Sequence, residues 1–245
     1  MLNLAQYKNP ALQFSGGKDS LACLYLLRDK LADLTVYWCD TGDGCPETRA
    51  VVDDVRAWIP RFEVVQSDVA QWRQRYGFPS DLVPSNNHQI GTHYGLSAVK
   101  LTNRWDCCWS NLMLPLHDRM VSDGVDAVIR GTKRCDTGTI PAEGRHPSVP
   151  YDIILPLRDW SHQDVFDFLV ASGAPHNPVY DYFEGGSAPE CMGCTAWWND
   201  GKAQYFRAMH PERAAAYMLS LHTILGATLT QLATLHSELY ALTKR

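Results

Sequence analysis

The string Phe14-Ser15-Gly16-Gly17-Lys18-Asp19-Ser20 combines the residue types of an anion site. Two adjacent glycines let the main chain turn tightly and come close to a ligand. A helix opening directly after them presents unbonded N–H groups and the positive end of its dipole. Ser15 and Ser20 add hydroxyl donors, and Lys18 adds an ammonium. The spacing from Gly to Lys-Ser is wrong for a Walker A loop. Asp40 and Thr41 follow a β-prone run, and Gly131-Thr132-Lys133-Arg134 follow another. Asp40 could hold a ribose, a water on Mg²⁺ or a backbone amide. Lys133 and Arg134 could stabilise charge on a transferring phosphate.

The second chemistry-bearing set is made of thiols. Cys107 and Cys108 are adjacent, and Cys191 and Cys194 form Cys-Met-Gly-Cys. Four thiolates in two tight pairs can take Zn²⁺ or a [4Fe–4S] cluster. Zinc chelate pairs are usually spaced two to four residues apart, so the adjacent pair is less usual for zinc. Unligated thiols are the third reading. Of the other four cysteines, Cys23 reads as core and Cys39 as a packed strand end. Cys45 and Cys135 fall in loops near the expected site, each a tolerated loop cysteine, a reactive thiol or a sulfur carrier.

The elements that must position these residues alternate. Residues 11–14, 34–39, 61–66, 126–130 and 151–155 read as strands. Residues 19–32, 46–58 and 161–172 read as helices, with Pro46 suited to a first turn, Ser161 to a cap and Gly173 to a stop. That order predicts an α/β, doubly wound, mostly parallel five-stranded sheet covered on both faces. Ligands bind such sheets at the carboxyl edge, where the glycine loop and Asp40 would lie together. Residues 77–104 show no period and read as loop with short helices, and 132–150 as a loop rich in Gly, Pro and Thr. Residues 1–200 are expected to form the nucleotide domain carrying the cysteines, and 201–245 a helical extension. In that tail Leu225, Leu229, Leu232, Leu235, Leu239 and Leu242 make one apolar stripe. It is expected to pack on the domain, with a homodimer contact as the alternative.

With 245 residues, 45% hydrophobic and 20% charged, the chain can build a sizeable core and is not disordered. Its net charge of -5 argues against a non-specific nucleic-acid binder. No run of about 18 apolar residues is present, so no membrane span is expected. The first ten residues lack the pattern of a signal peptide, and a cytoplasmic location is expected. Eight cysteines in a reducing compartment invite a metal or redox reading.

The glycine string resembles the PP-loop of the adenine nucleotide α-hydrolases. Cys39-Asp40-Thr41-Gly42 with Pro46-Glu47-Thr48 resembles the LDTG…PET segment of the phosphoadenosine phosphosulfate (PAPS) reductase family. Leu155-Pro156-Leu157-Arg158-Asp159-Trp160-Ser161 with Asp164-Val165, and Asn177-Pro178-Val179-Tyr180-Asp181, are similar to two further segments of that family. The pairs Cys107-Cys108 and Cys191/Cys194, with Pro115-Leu116 and Thr195 beside them, resemble the iron–sulfur adenylyl-sulfate reductases. The resemblance runs from about residue 11 to residue 196. It implies phosphate binding by Ser15, Gly16, Gly17, Lys18, Asp19 and Ser20, with Asp40, Thr41 and Gly131 nearby. It also implies a [4Fe–4S] cluster on Cys107, Cys108, Cys191 and Cys194, and Lys133 stands where the family has an arginine.

Two departures fall at the sulfate end of the substrate. The family's nucleophilic cysteine lies near the C-terminus, yet no cysteine follows Cys194. The Arg-Lys pair of the cluster-bearing reductases is replaced by Asn111 and Leu112, which removes charge-assisted binding of a sulfate. The retained parts suffice to bind ATP, with Mg²⁺, and to adenylate an acceptor, as in the PP-loop proteins of tRNA thiolation and DNA phosphorothioation. The expected function is therefore an ATP pyrophosphatase or adenylating enzyme in sulfur transfer. The alternatives are an adenylyl-sulfate or PAPS reductase with a different nucleophile, such as Cys135 or one from a partner, and a non-catalytic nucleotide- and cluster-binding subunit. A cysteine desulfurase or a thioredoxin-like protein would be the partner, and a nucleic-acid acceptor would need a local basic groove.

Overall fold

The structure is a computed structural model. It describes residues 3–137, 143–145, 147–183, 188–198 and 201–243. The elements run β1 (Pro10–Phe14), α1 (Lys18–Leu26), β2 (Thr35–Asp40), α2 (Pro46–Arg56), β3 (Phe62–Gln66), α3 (Val69–Tyr76), β4 (Phe78–Ser80), α4 (Gln89–His93), β5 (Leu101–Asn103) and α5 (Arg104–Cys108). They continue with α6 (Leu114–Ser122), β6 (Ala127–Ile129), α7 (Arg134–Thr137), β7 (Gly144–Arg145), β8 (Asp152–Ile154), α8 (His162–Ala171), α9 (Lys202–Met209) and α10 (Pro211–Thr243). Between α5 and α6 the helix runs through a π-helical stretch, Trp109–Met113.

The main sheet has the order β3-β2-β1-β6-β8-β7. Every pairing in it is parallel except β7 against β8. The five expected strands are all present. The sheet has six strands because Gly144–Arg145 adds a short antiparallel edge, a two-residue pairing that leaves no periodic signal in sequence. β2 is buried along its whole length, as its unbroken TVYWC run requires of an interior parallel strand. α1, α2 and α8 cover one face with Leu21, Leu24, Val52, Val165 and Leu169. α6 covers the other with Leu116 and Met120. Ser161 caps α8 and makes a reciprocal capping box with Asp164. The strand order reverses between β1 and β6, so the carboxyl edge opens a crevice there.

Three expectations need correction. Residues 77–104 hold the expected loop and short helix, α4, but also β4 and β5, which form a separate two-stranded parallel sheet, with Phe78 opposite Leu101. Three-residue strands are too short to show alternation. Within 132–150, α7 and β7 interrupt the expected loop, while residues 138–142 and 146 lie outside the described residues. The leucine stripe of α10 does not pack on the domain. Ile224 and Thr228 are its buried residues, and Leu225, Leu229, Leu232, Leu235, Leu239 and Leu242 are exposed. By length and composition alone, α10 is long and apolar enough to cross a membrane, with a mean hydropathy of 1.2 over its most apolar stretch.

Candidate nucleotide and metal-binding site

The glycine loop joins β1 to α1 with little freedom. Gly16 has φ +79, and a Cβ there would stand 2.7 Å from Val52. A Cβ on Gly17 would meet the Tyr180 hydroxyl at 2.8 Å. The Ser20 hydroxyl accepts from the Ser15 N–H at 3.1 Å, and the Ser15 hydroxyl accepts from the Gly17 N–H at 3.2 Å. Tyr180 accepts from the Lys18 N–H at 2.9 Å, so the Asn-Pro-Val-Tyr segment closes over the helix start.

Beneath the loop lies a charged network. The Lys18 ammonium bonds Asp19 at 2.8 Å, and the Lys133 ammonium bonds Asp19 at 2.6 Å and Asp136 at 3.0 Å. Both lysine side chains are almost fully buried. Burial pulls the Lys18 ammonium below its ordinary value, and its one carboxylate offsets this only in part. Burial acts on Lys133 the same way, but two carboxylates outweigh it and raise its pKa. Neither lysine forms the cleft wall; Asp19 and Asp136 do. A cleft of about 210 Å³ is lined by Ser15, Gly17, Thr48, Tyr180 and these two aspartates, among others. A second, of about 300 Å³, continues past Phe14, Ser20, Trp38, Cys39, Arg130 and Gly131. Its mixed aromatic, thiol and main-chain wall suits a nucleoside beside a phosphate site.

Two expected site residues stand apart from these clefts. Asp40 bonds Arg49 at 2.6 Å and accepts from the Gly42 N–H at 3.0 Å, which is the local turn role. Arg134 is exposed and pairs with Asp159 at 3.2 Å. Thr41 faces the cysteines instead, accepting from the Cys191 thiol at 3.4 Å.

Cys107, Cys108, Cys191 and Cys194 all line one apolar cavity of about 580 Å³. Trp105, Trp109 and Trp197 form part of its wall. The small sheet that sequence reasoning missed carries this cavity. Asn103 at the end of β5 caps α5, which bears Cys107 and Cys108. The Pro79 carbonyl of β4 accepts from the Thr195 hydroxyl at 2.6 Å, fixing the chain after Cys194. Asp81 accepts from the Trp197 N–H at 3.0 Å, while the Arg104 guanidinium stacks on the Trp197 ring at 3.9 Å. These contacts hold Trp197 at φ 61, a left-handed conformation unusual for a bulky residue.

A buried ion pair braces the Cys-Met-Gly-Cys turn. Arg73 bonds Asp43 at 2.6 Å, and Asp43 accepts from the Gly193 N–H at 3.0 Å. The Arg73 Nε is buried with no hydrogen-bond partner. Asn111, where the resembled reductases have a cation, donates to the Cys107 carbonyl at 2.9 Å. Burial raises the Cys107 thiol to about 11 against the pull of Arg73, and raises Cys108 and Cys191 as well. No three of the four sulfurs lie within 4.8 Å of one another. A single zinc with Zn–S of about 2.3 Å would draw its ligands to about 3.8 Å. Glu190 connects the two regions, since it lines both nucleotide clefts and the cysteine cavity. Glu190 is exposed, yet the protein around its carboxyl pushes it up to about 7 against a hydrogen bond from Ser15.

Sequence reasoning gave Asp136, Glu190, Asp43 and Arg73 no role. Asp136 was signalled only by following Lys133, and Glu190 only by preceding Cys191. Asp43 and Arg73 carry no motif signal. Cys45, read as a loop residue, is buried against Val179, Met192 and Tyr205.

Residues 9–196 match the phosphoadenosine phosphosulfate reductase domain family. An adenosine 5'-phosphosulfate reductase of Salinibacter ruber is 26% identical over 187 residues, which is 73% of this chain and 64% of that protein. The chain therefore spans less than two thirds of that relative. A phosphoadenylyl-sulfate reductase from Candida auris, solved with phosphate, superposes with a TM-score of 0.54 at 16% identity, over 76% of this chain and 83% of its own. That likeness shows the shared fold. An NMN synthetase from Francisella tularensis aligns with a TM-score of 0.45 at 12% identity, over 70% of this chain and 64% of that one.

Proposed function

The chain belongs to the phosphoadenosine phosphosulfate reductase family, and from that premise we propose that it is a PP-loop ATP pyrophosphatase that adenylates an acceptor in sulfur transfer. The observation that carries this over sulfonucleotide reduction is the charge around the loop. Lys18 and Lys133 are already neutralised by Asp19 and Asp136, and Glu190 adds a third carboxyl to the wall. A bare sulfonucleotide would meet these carboxyls at the loop, and the cation left to offset them is Arg130 in the adjoining cleft. ATP brings Mg²⁺, and Glu190 on the cleft wall is the residue that would hold it together with the phosphates.

In this reading the N–H groups of Gly16, Asp19 and Ser20 and the Ser15 and Ser20 hydroxyls bind the pyrophosphate moiety. Lys18 and Lys133 lie beneath the transferring phosphate with their charge balanced by Asp19 and Asp136. Gly131 and the cleft past Trp38 take the nucleoside. Cys107, Cys108, Cys191 and Cys194 would hold a [4Fe–4S] cluster. The wide sulfur spacing, the apolar wall and the adjacent Arg73 fit a negatively charged group larger than one metal ion. Such a cluster would supply redox or sulfur-binding chemistry next to the nucleotide. Eight unpaired cysteines suit the cytoplasm, with a cysteine desulfurase as sulfur donor.

The α10 leucines favour a second copy of this chain as partner. Met218, Leu225, Leu232 and Leu239, with Leu221, Thr228, Leu235 and Leu242, occupy the two apolar positions of four successive heptads. Leu232→Glu with Leu239→Glu should convert a dimer to a monomer in sedimentation; an unchanged mass would remove the homodimer.

The deciding assay offers ATP and adenylyl sulfate to the metal-reconstituted protein. Pyrophosphate release from ATP is expected. Sulfite release from adenylyl sulfate with a thioredoxin, and none of pyrophosphate, would replace this reading with the reductase.

A further inference from the structure

The structure places a thiol at the nucleotide edge. Cys135 lies on α7, directly after Lys133, and is exposed. Its sulfur, an Asp136 carboxylate oxygen and a His162 ring nitrogen all lie within 4.8 Å of one another. The thiol donates to the Trp160 carbonyl at 3.4 Å. Asp136 belongs to both nucleotide clefts, so the three groups stand at the mouth of the phosphate site. The His162 Nδ1 is buried and has no hydrogen-bond partner.

We infer that Cys135, with His162 as its base, is a sulfur-accepting nucleophile at the nucleotide site. This deepens the proposed function by naming the residue that takes the sulfur.

The surroundings select this chemistry over the others three such ligands allow. A metal cation would compete with the Lys133 ammonium, 3.0 Å from Asp136. An inert surface cysteine would not need an imidazole beside it. The charged groups facing His162 are Lys18 from α1 and Lys133 from the β6 edge, opposed by Asp19 and Asp136. Burial and the two ammoniums keep the imidazole neutral and able to accept a proton.

The step balances with either of two sulfur sources. From a persulfide R–S–SH, the Cys135 thiolate attacks the outer sulfur and a new S–S bond forms. The old S–S bond breaks, and its electron pair leaves on R–S⁻. From adenylyl sulfate, the thiolate attacks the sulfonate sulfur, the S–O bond to the phosphate breaks, and the pair leaves on AMP. In both cases His162 takes the thiol proton and returns it to the leaving group or to water. The shared chemistry is attack on electrophilic sulfur.

The test uses the full-length, metal-reconstituted protein and peptide mass spectrometry. One arm adds glutathione persulfide, the other adenylyl sulfate. The inference expects one arm to place an added sulfur, or an SO₃ group, on Cys135. In His162→Gln the labelling rate should fall by about 10²-fold at neutral pH, the scale of general-base catalysis. It should recover at alkaline pH, where thiols ionise without a base. A loss that persisted at high pH would mean a merely structural role and would overturn the dyad. No label on Cys135 in either arm, or equal rates in both proteins, would overturn the inference outright. Persulfide labelling agrees with the ATP reading. SO₃ labelling supports Cys135 but transfers the enzyme to the reductases. Wild-type protein that labels at Cys135 yet releases no pyrophosphate from ATP sinks the ATP reading alone.

Discussion

The nucleotide cleft and the cysteine cavity meet at Glu190, but they are finished in different ways. In the cleft, Lys18 and Lys133 are held by Asp19 and Asp136 and the serine hydroxyls are engaged within the loop, while the Arg130 Nε and the His162 Nδ1 have no partner. In the cavity, four thiols face an apolar space beside an arginine nitrogen without a partner. Buried polar groups left unpaired cost about 1–3 kcal/mol each, and more when charged. The cleft is therefore a site whose own carboxylates stand in for its ligand. The cavity is a site whose balance is completed by something the chain alone does not provide.

The contrast can be broken from either side. The largest stability effect should come from the cleft. Lys133→Met removes the buried cation of the network and leaves Asp19 and Asp136, each partly open to the cleft, facing each other. Breaking a buried pair costs about 3–5 kcal/mol, and solvent at the two carboxylates puts this loss at the low end of that range, read as a lowered midpoint in urea. A loss below about 1 kcal/mol would mean that the network is not a closed unit. On the cavity side, Arg73→Gln leaves Asp43 without its counter-charge and Gly193 less firmly held. Metal retention against a chelator should weaken by about 10–100-fold, as for other residues that orient ligands. Unchanged retention would assign Arg73 to the fold alone.

The smallest effect concerns acid. The folded-state pKa of His162 is lowered, so below about 6.5 the unfolded chain binds a proton that the folded chain resists. Stability should fall as pH drops through that window and be unaffected by this group above it. His162→Gln should flatten that part of the stability profile, and an unaltered slope would remove His162 from the cleft's electrostatics.

Legibility in the sequence follows the same division. Ser15 to Ser20 and the strands of the main sheet were readable because strand, glycine turn and helix start are consecutive in the chain. Tyr180 and Thr48 lay inside recognisable segments although they come from distant elements. The four cysteines were readable as a set, but not what holds them. Pro79, Asp81 and Asn103 belong to strands of three residues, too short for a period to show. Arg73 sits on α3 as an ordinary last-turn cation whose role appears only when Asp43 folds beside it. Contacts made across the fold between single polar residues leave no pattern in one sequence.

The central claim is that the cavity completes itself with an iron–sulfur cluster beside the nucleotide loop. The direct measurement is metal and acid-labile sulfide content after anaerobic purification, on wild type and on Cys191→Ser. The account predicts a brown wild-type protein with about four iron and four sulfide per chain, the content of one [4Fe–4S] unit, and loss of both in the variant. A colourless wild-type protein carrying one zinc, or no metal after reconstitution, would contradict it.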